Sequence, residues 1–234
     1  MSQKILSDLT SLCWVNPFSV KRGEIEQRLL GEAFRPISQT GGRGIFSPNL
    51  DFLLIRCREL LQQGPVHPES AELAAFVIYH ELADDIDGLI SEPKNTRRAW
   101  KKYLACWDHY YPGYAGQPQA FDQATLFALF YQIRRAFTWI YNYVIGSSPD
   151  ASRLRERIWE SIFSHDLKRY VSGFHREMND IHSLITGPSG SGKGLVARAI
   201  GMSRFIPFDL AKEAFTADPE AAYFSVNVAV LPEQ

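Results

Sequence analysis

The chain has 234 residues, of which 45% are hydrophobic and 22% are charged, and its formal net charge is −1. This is the composition of a globular protein that is long enough for one large domain or two small ones. The near-neutral charge excludes a strong overall attraction to nucleic acid or to an anionic membrane. Asp8 interrupts the apolar stretch that a signal peptide needs, so we expect a cytoplasmic protein.

The cysteines and the most apolar segment argue against two further classes, a zinc-binding protein and a membrane protein. Cys13, Cys57 and Cys106 are widely spaced and form no Cys-x-x-Cys pair, which predicts buried reduced thiols rather than a zinc site. The segment 124–146 carries Arg134 and Arg135 at its centre. Two guanidinium ions in that place argue against a membrane span.

Helical patterns cover most of the chain from Pro48 to about Asp180. Ser47 and Pro48 have the residue types of an N-cap and a first helical residue, and apolar residues then repeat every three or four positions. Further helices are predicted over 67–90 and 95–111. Asp122 is predicted to cap a long aromatic helix, and Ser148 with Pro149 to start the next one. The amphipathic segment 153–180 is predicted to be helical with a break near Gly173.

The pattern changes at residue 182. The run "HSLIT" at 182–186 favours a strand, "GPSGSG" a tight loop, and "KGLVARAIG" a helix that ends at Gly201. The segment "YFSVNVAVL" at 223–231 is rich in β-branched residues and predicts a second strand. We therefore predict a mainly α N-terminal domain, residues 1–154, followed by the beginning of an α/β P-loop domain, residues 155–234.

The glycine-rich stretch carries the chemistry. Gly187, Gly192 and Lys193 match all but the last position of G-x-x-x-x-G-K-[ST], in which glycines turn backbone N–H groups toward phosphate oxygens and the lysine reaches the β- and γ-phosphates. The alternative is a glycine-rich turn with an exposed lysine. The predicted nucleotide contacts are Gly187, Pro188, Ser189, Gly190, Ser191, Gly192, Lys193, Gly194 and Leu195.

Gly194 departs from this motif. A serine or threonine at that position normally supplies a hydroxyl ligand to Mg²⁺. Ser189 and Ser191 lie elsewhere in the loop and do not replace it. We expect ATP with Mg²⁺ as the bound cofactors, with the metal held weakly or differently, and we assign no metal ligand or catalytic residue in this chain.

The stretch "LITGPSGSGKGLVARAIG" resembles the first nucleotide motif of the AAA+ activators of sigma-54 RNA polymerase. The typical motif of that family is Ser-Gly-Thr-Gly-Lys-Glu followed by Leu-Val-Ala-Arg-Ala-Ile, so Gly194 occupies the position of the family's glutamate. "YFSVNVAVLPEQ" resembles the family's second strand. The resemblance gives Asn227 the role of a switch that couples nucleotide state to remodelling, and a polar strand cap is the alternative.

This resemblance covers residues 182 to 234 and implies an AAA+ sigma-54 interaction domain. It implies ATP hydrolysis that remodels sigma-54 RNA polymerase, self-association into a ring, and DNA binding through regions outside this sequence. The sequence contains neither the second nucleotide motif nor the Gly-Ala-Phe-Thr-Gly-Ala loop, so we expect a fragment of a longer regulator with weak nucleotide binding. A small-molecule kinase and a non-catalytic helical interaction protein with a relic loop are the alternatives.

Two other clusters have a structural and a functional interpretation. His80 and Asp84 share a predicted helix face, where a solvated acidic surface is favoured over a metal site. Arg134 and Arg135 lie among aromatic residues, which predicts a core helix in preference to a surface that stacks on single-stranded nucleic acid. The helical region is also rich in aromatic residues, Trp100 among them, and this content is compatible with a sensory pocket.

Overall fold

The computed structural model describes residues 3–36, 47–63, 70–111, 113, 121–220 and 223–226. The helices are α1 (Gln3–Trp14), α2 (Val20–Leu30), α3 (Leu50–Leu61), α4 (Ser70–Glu81), α5 (Ala83–Ser91), α6 (Thr96–Tyr110), α7 (Gln123–Tyr143), α8 (Pro149–Phe163), α9 (Leu167–Val171) and α10 (Lys193–Gly201). Two short strands, β1 (Phe208–Asp209) and β2 (Ala214–Phe215), pair antiparallel. The described protein is therefore mainly helical.

Helix α4 lies between two apolar clusters. Leu73 and Val77 pack in a cluster with residues of α1 and α3, and Ala74 and Ile78 pack in a larger one with α6, α7 and α8. Every residue from Ser70 to Ile78 is buried, as expected for a helix that is apolar around its whole circumference. Burial of one large apolar side chain contributes about 1.5–3 kcal/mol, so α4 is central to the stability of both clusters.

The starts of α7 and α8 follow the local sequence. Asp122 Oδ2 accepts a hydrogen bond from the Thr125 backbone N–H at 2.8 Å, and Ser148 Oγ accepts one from Ala151 N–H at 3.2 Å with Pro149 in the first turn. These contacts satisfy backbone donors that a helix start leaves without intrahelical partners. Both predicted caps are confirmed.

The predicted start of α3 was wrong by two residues. Helix α3 begins at Leu50, with Asn49 at its N-cap position. Ser47 Oγ donates to Glu26 Oε2 at 2.6 Å, and Asn49 Nδ2 donates to the same oxygen at 2.8 Å. The Glu26 side chain is fully buried, and a buried carboxylate needs such donors. The Ser47 hydroxyl also accepts a hydrogen bond from the Asn49 backbone N–H at 3.2 Å, so it stabilises both the turn before α3 and the buried carboxylate.

Two predicted helices are interrupted. The pattern over 67–90 gives α4 and α5, which are separated at Leu82, and residues 64–69 lie outside the described part. His80 and Asp84 consequently belong to different helices. The pattern over 153–180 ends as α8 at Phe163, where Ser164 has φ 61°, and continues through α9 into short 3-10 turns. The predicted boundary between residues 154 and 155 falls inside α8 and stays a prediction.

The strand predicted at 182–186 is absent from the structure. Residues 181–188 have no regular secondary structure, and Leu184 is 90% exposed. A parallel strand needs neighbouring strands, and the described residues place none beside this segment. An α/β P-loop domain therefore stays a prediction.

The strands that do form belong to a hairpin that packs on the helices. Phe208 lies opposite Phe215 in the two-stranded pairing. The Phe208 ring centroid is 4.6 Å from that of Trp100, and the Phe215 centroid is 4.2 Å from that of Tyr131. Aromatic packing thus attaches the segment after α10 to α6 and α7.

The segment rich in arginine and aromatic residues is confirmed as a core helix. Tyr131 and Arg135 of α7 are 3% and 1% exposed. Arg134 Nε donates to Asp87 Oδ1 at 2.6 Å, so this arginine is held by a carboxylate of α5. Asp85 contacts Lys102, so this part of the predicted acidic surface is ion-paired rather than only solvated. In the part of the chain that the structure describes, no helix is long and apolar enough to cross a membrane.

Candidate functional site

The glycine-rich loop turns sharply and leads directly into α10. Gly190 has φ 78° and Gly192 has φ 85°, the left-handed region in which glycine carries no Cβ penalty. Gly192 is the N-cap residue of α10, and Lys193 is its first residue. The local sequence therefore produces the loop and helix that the motif predicts, although the strand before them is missing.

Lys193 folds back over the loop. Its Nζ donates to the carbonyl oxygen of Gly187 at 2.9 Å and to that of Pro188 at 2.6 Å. The ammonium group therefore lies against the backbone of the loop rather than extending into solvent. This contact brings the two ends of the motif together. The phosphate-binding loop and its alternative, a glycine-rich turn with an exposed lysine, both stay predictions.

Backbone donors at the start of α10 complete the loop. The N–H groups of Leu195 and Val196 donate to the Gly192 carbonyl oxygen at 3.0 and 3.2 Å. Among the described residues, no acceptor is found for the N–H groups of Lys193 and Gly194. Free N–H groups at a helix start, together with the helix dipole, favour an anion such as phosphate.

The serines and Gly194 do not form a metal site with the loop. Ser191 Oγ donates to the Pro188 carbonyl oxygen at 2.8 Å and so stabilises the turn. Ser189 and Leu195 are exposed, and a Cβ added at Gly194 would meet no atom within 4 Å. Within the described ranges, no three His, Cys, Asp or Glu side chains converge on one point. The free N–H groups at the start of α10 suit a phosphate group, and position 194 offers no hydroxyl to Mg²⁺.

The predicted switch residue Asn227 lies outside the described residues. The neighbouring residues 223–226 are described and form no strand. The Tyr223 ring lies so close to Gly201 that a Cβ on this glycine would be 2.5 Å from ring atom Cδ2. Gly201 ends α10 as predicted, and it also allows this close approach.

Two side chains of α7 hold the far end of α10, a role that their sequence context did not predict. Arg135 Nη1 donates to the Met202 carbonyl oxygen at 3.1 Å and its Nη2 donates to that of Arg204. Gln132 Nε2 donates to the Ser203 carbonyl oxygen at 2.9 Å. Cations and donors at a helix C-terminus stabilise its unpaired carbonyl groups. The sequence did show an arginine inside an apolar helix. This pattern indicates a buried charge, but it does not identify the groups that the charge contacts.

Burial affects the charge of the Arg135 guanidinium in its contact with the end of α10. Arg135 is 1% exposed, and burial lowers the pKa of its guanidinium to about 10. The group stays charged at neutral pH, and its face lies over the Tyr131 ring, with Cζ 4.6 Å from the ring centroid. This cation–π contact and the carbonyl acceptors offset part of the cost of removing the charge from water.

The fold and site together define a mainly helical protein that carries a glycine-rich loop at the start of a helix. No protein-family model, curated protein or solved structure matches this chain. The resemblance of residues 182–234 to the sigma-54 activators therefore rests on the motif residues alone.

Proposed function

We propose that this chain binds ATP at the loop formed by residues 187–195 and belongs to an ATP-dependent regulator of sigma-54 RNA polymerase. The observation that carries the proposal is the position of Lys193. Its ammonium contacts the Gly187 and Pro188 carbonyl oxygens at the start of a helix whose first N–H groups lack acceptors among the described residues. Cytoplasmic location and ring assembly follow from the same proposal.

The chain's own residues would act on the phosphates in two ways. The N–H groups of Lys193 and Gly194 donate to phosphate oxygens, and the Lys193 ammonium exchanges its carbonyl partners for the β- and γ-phosphates. Gly194 contributes no hydroxyl, so Mg²⁺ would be held mainly by the nucleotide and water. When bound, Mg²⁺ would neutralise part of the negative charge of the phosphates.

Exposed apolar residues near the loop in sequence support a larger α/β domain. Leu184 and Leu195 are 90% and 49% exposed, and Phe224 and Val226 are 82% and 63% exposed. Side chains of this kind are normally covered in a parallel sheet with helices on both faces. The proposal assigns them to the interior of the AAA+ domain.

The nucleotide proposal is tested by isothermal titration of ATP into the 234-residue chain. We expect measurable affinity and a loss of about tenfold or more in Lys193→Ala. Lys212→Ala is the matched control, since this side chain is 79% exposed and lies outside the loop. Absence of ATP affinity would support the helical interaction protein, and transfer of phosphate to a nucleoside would support the kinase.

The assignment to sigma-54 activators is tested on the gene. We expect the reading frame after codon 234 to encode a strand with paired acidic residues and a Gly-Ala-Phe-Thr-Gly-Ala loop. Hydrolysis needs charge stabilisation and a positioned water that Lys193 alone does not supply. A stop codon directly after Gln234 would contradict this part of the proposal and leave nucleotide binding to be decided by titration.

A further inference from the structure

A cavity of about 130 Å³ lies within the helical region, between α1, α4 and α7. Its walls are largely apolar, and the aromatic residues Phe76, Phe130, Phe137 and Trp159 are among them. An apolar protein cavity of about 150 Å³ accommodates benzene, so this volume suits a single ring. Trp100, Tyr103 and Trp107 belong to the aromatic residues that suggested a sensory pocket in the helical region, but they do not line this cavity.

Two lining side chains offer hydrogen-bond donors to this cavity. Arg22 Nε donates to Glu26 Oε1 at 2.9 Å, but its Nη1 and Nη2 groups have no acceptor among the described residues. The His80 ring makes edge contacts with Phe76 and Tyr79, and in the described part of the chain no hydrogen bond reaches its nitrogens. Both residues line the cavity.

The imidazole of His80 is neutral. Burial, followed by the charges of Arg22 and Arg134, lowers the pKa of His80 to about 3. A neutral imidazole keeps one N–H donor. The carboxylate of a ligand placed here could accept a hydrogen bond from this N–H and from the Arg22 Nη groups.

The other charged groups of the cavity already have partners. Arg134 is held by Asp87, with Nε 2.6 Å from Oδ1. Glu72 accepts a hydrogen bond from Trp14 Nε1 and lies 2.6 Å from Lys168 Nζ. Because Glu72 is 3% exposed and Lys168 is 57% exposed, this pair connects the cavity wall to the surface. Arg22 and His80 therefore remain as the donors available to a ligand.

We propose that this cavity binds a monocyclic aromatic carboxylate. The ring packs among Phe76, Phe130 and Phe137, and the carboxylate accepts hydrogen bonds from Arg22 Nη and from the His80 N–H. A neutral ring leaves the guanidinium donors unpaired, and a carboxylate without a ring leaves the aromatic walls uncovered. The proposal does not depend on nucleotide binding by the glycine-rich loop.

The probe is benzoate, titrated into the 234-residue chain and followed by calorimetry and thermal unfolding. Toluene presents the same ring without charge, and acetate presents the carboxylate without the ring. We expect benzoate to bind and to raise the unfolding midpoint, and toluene and acetate to bind about tenfold more weakly or not at all.

Three variants locate the site. Arg22→Met is expected to weaken benzoate binding by about tenfold or more, and Ala75→Leu is expected to abolish it by filling the cavity. Arg28→Met is the matched control on the same helix, because this side chain is 47% exposed and pairs with Asp8. Circular dichroism verifies that each variant folds. If the Arg22→Met variant does not fold, the His80→Phe variant is tested in its place.

Each remaining outcome contradicts the proposal. Equal affinity for benzoate and toluene would mean that the cavity selects a ring and not an anion. Benzoate binding that survives Ala75→Leu would place the ligand elsewhere. Absence of benzoate binding to the unmodified chain would exclude the proposed ligand class.

Discussion

The guanidinium of Arg135 donates to the carbonyl oxygen of Met202 at 3.1 Å, across 67 positions of sequence. This contact joins the middle of α7 to the end of α10, whose other end begins at the glycine-rich loop. The loop is therefore positioned by the helical region on which α10 packs. Helix α7 also contributes Phe130 and Arg134 to the cavity, so one helix contacts both candidate sites.

Replacement of Arg135 tests this connection. Arg135→Met leaves the carbonyl groups of Met202 and Arg204 without their donor, and we expect a loss of about 2 kcal/mol in the free energy of unfolding. Urea unfolding gives this value, and hydrogen exchange of α10 amides is expected to increase. Arg153→Met is the control, because this arginine is 71% exposed and its removal should change stability by less than about 0.5 kcal/mol. Equal losses in the two variants would rule out a special role for Arg135.

The two glycines of α10 are expected to respond oppositely to alanine. A Cβ at Gly201 would lie 2.5 Å from the Tyr223 ring, whereas a Cβ at Gly194 meets nothing within 4 Å. We expect Gly201→Ala to lose about 1 kcal/mol as the ring is displaced, and Gly194→Ala to gain about 0.5 kcal/mol from helix propensity. Thermal unfolding compares them. A midpoint for Gly201→Ala at or above that of Gly194→Ala would refute the close contact with Tyr223.

A hydroxyl at position 194 is expected to strengthen magnesium dependence. Gly194→Ser has room for its side chain and places an oxygen at the residue after Lys193, where P-loops hold Mg²⁺. We expect the ratio of ATP affinities with Mg²⁺ and with EDTA to rise by about tenfold over the unmodified chain. Gly194→Ala supplies the Cβ without the hydroxyl and should leave the ratio unchanged. If alanine and serine act alike, the hydroxyl has no role in metal binding.

The half-buried His80 predicts a loss of stability in mild acid. Its pKa is lowered from 6.5 to about 3, so below pH 6.5 the unfolded chain binds a proton that the folded protein does not take up. Stability therefore falls as the pH decreases through this window, by about 2 kcal/mol between pH 7 and pH 5 from this group. Urea unfolding at both pH values should show a smaller decrease in His80→Gln. The same decrease in both proteins would show that His80 is not responsible.

Part of the candidate site was predictable because it is local. The positive φ angles of Gly190 and Gly192 and the start of α10 at Lys193 involve residues only a few positions apart. The strand at 182–186 was predicted wrongly because pairing requires a neighbouring strand, which residue type alone does not provide. The hairpin at Phe208 and Phe215 was missed, since its stability comes from Trp100 and Tyr131, distant in sequence.

The sequence by itself determined features that depend on short-range chemistry: the caps at Asp122 and Ser148, the helical character of the described residues up to Val171 and the turn of the glycine-rich loop. Only the tertiary structure decided that Arg135 closes the end of α10. It also decided that α4 divides at Leu82 from α5, and that Arg22 and His80 face one cavity. These relationships depend on which helices pack together, because packing selects the partner of each buried polar group.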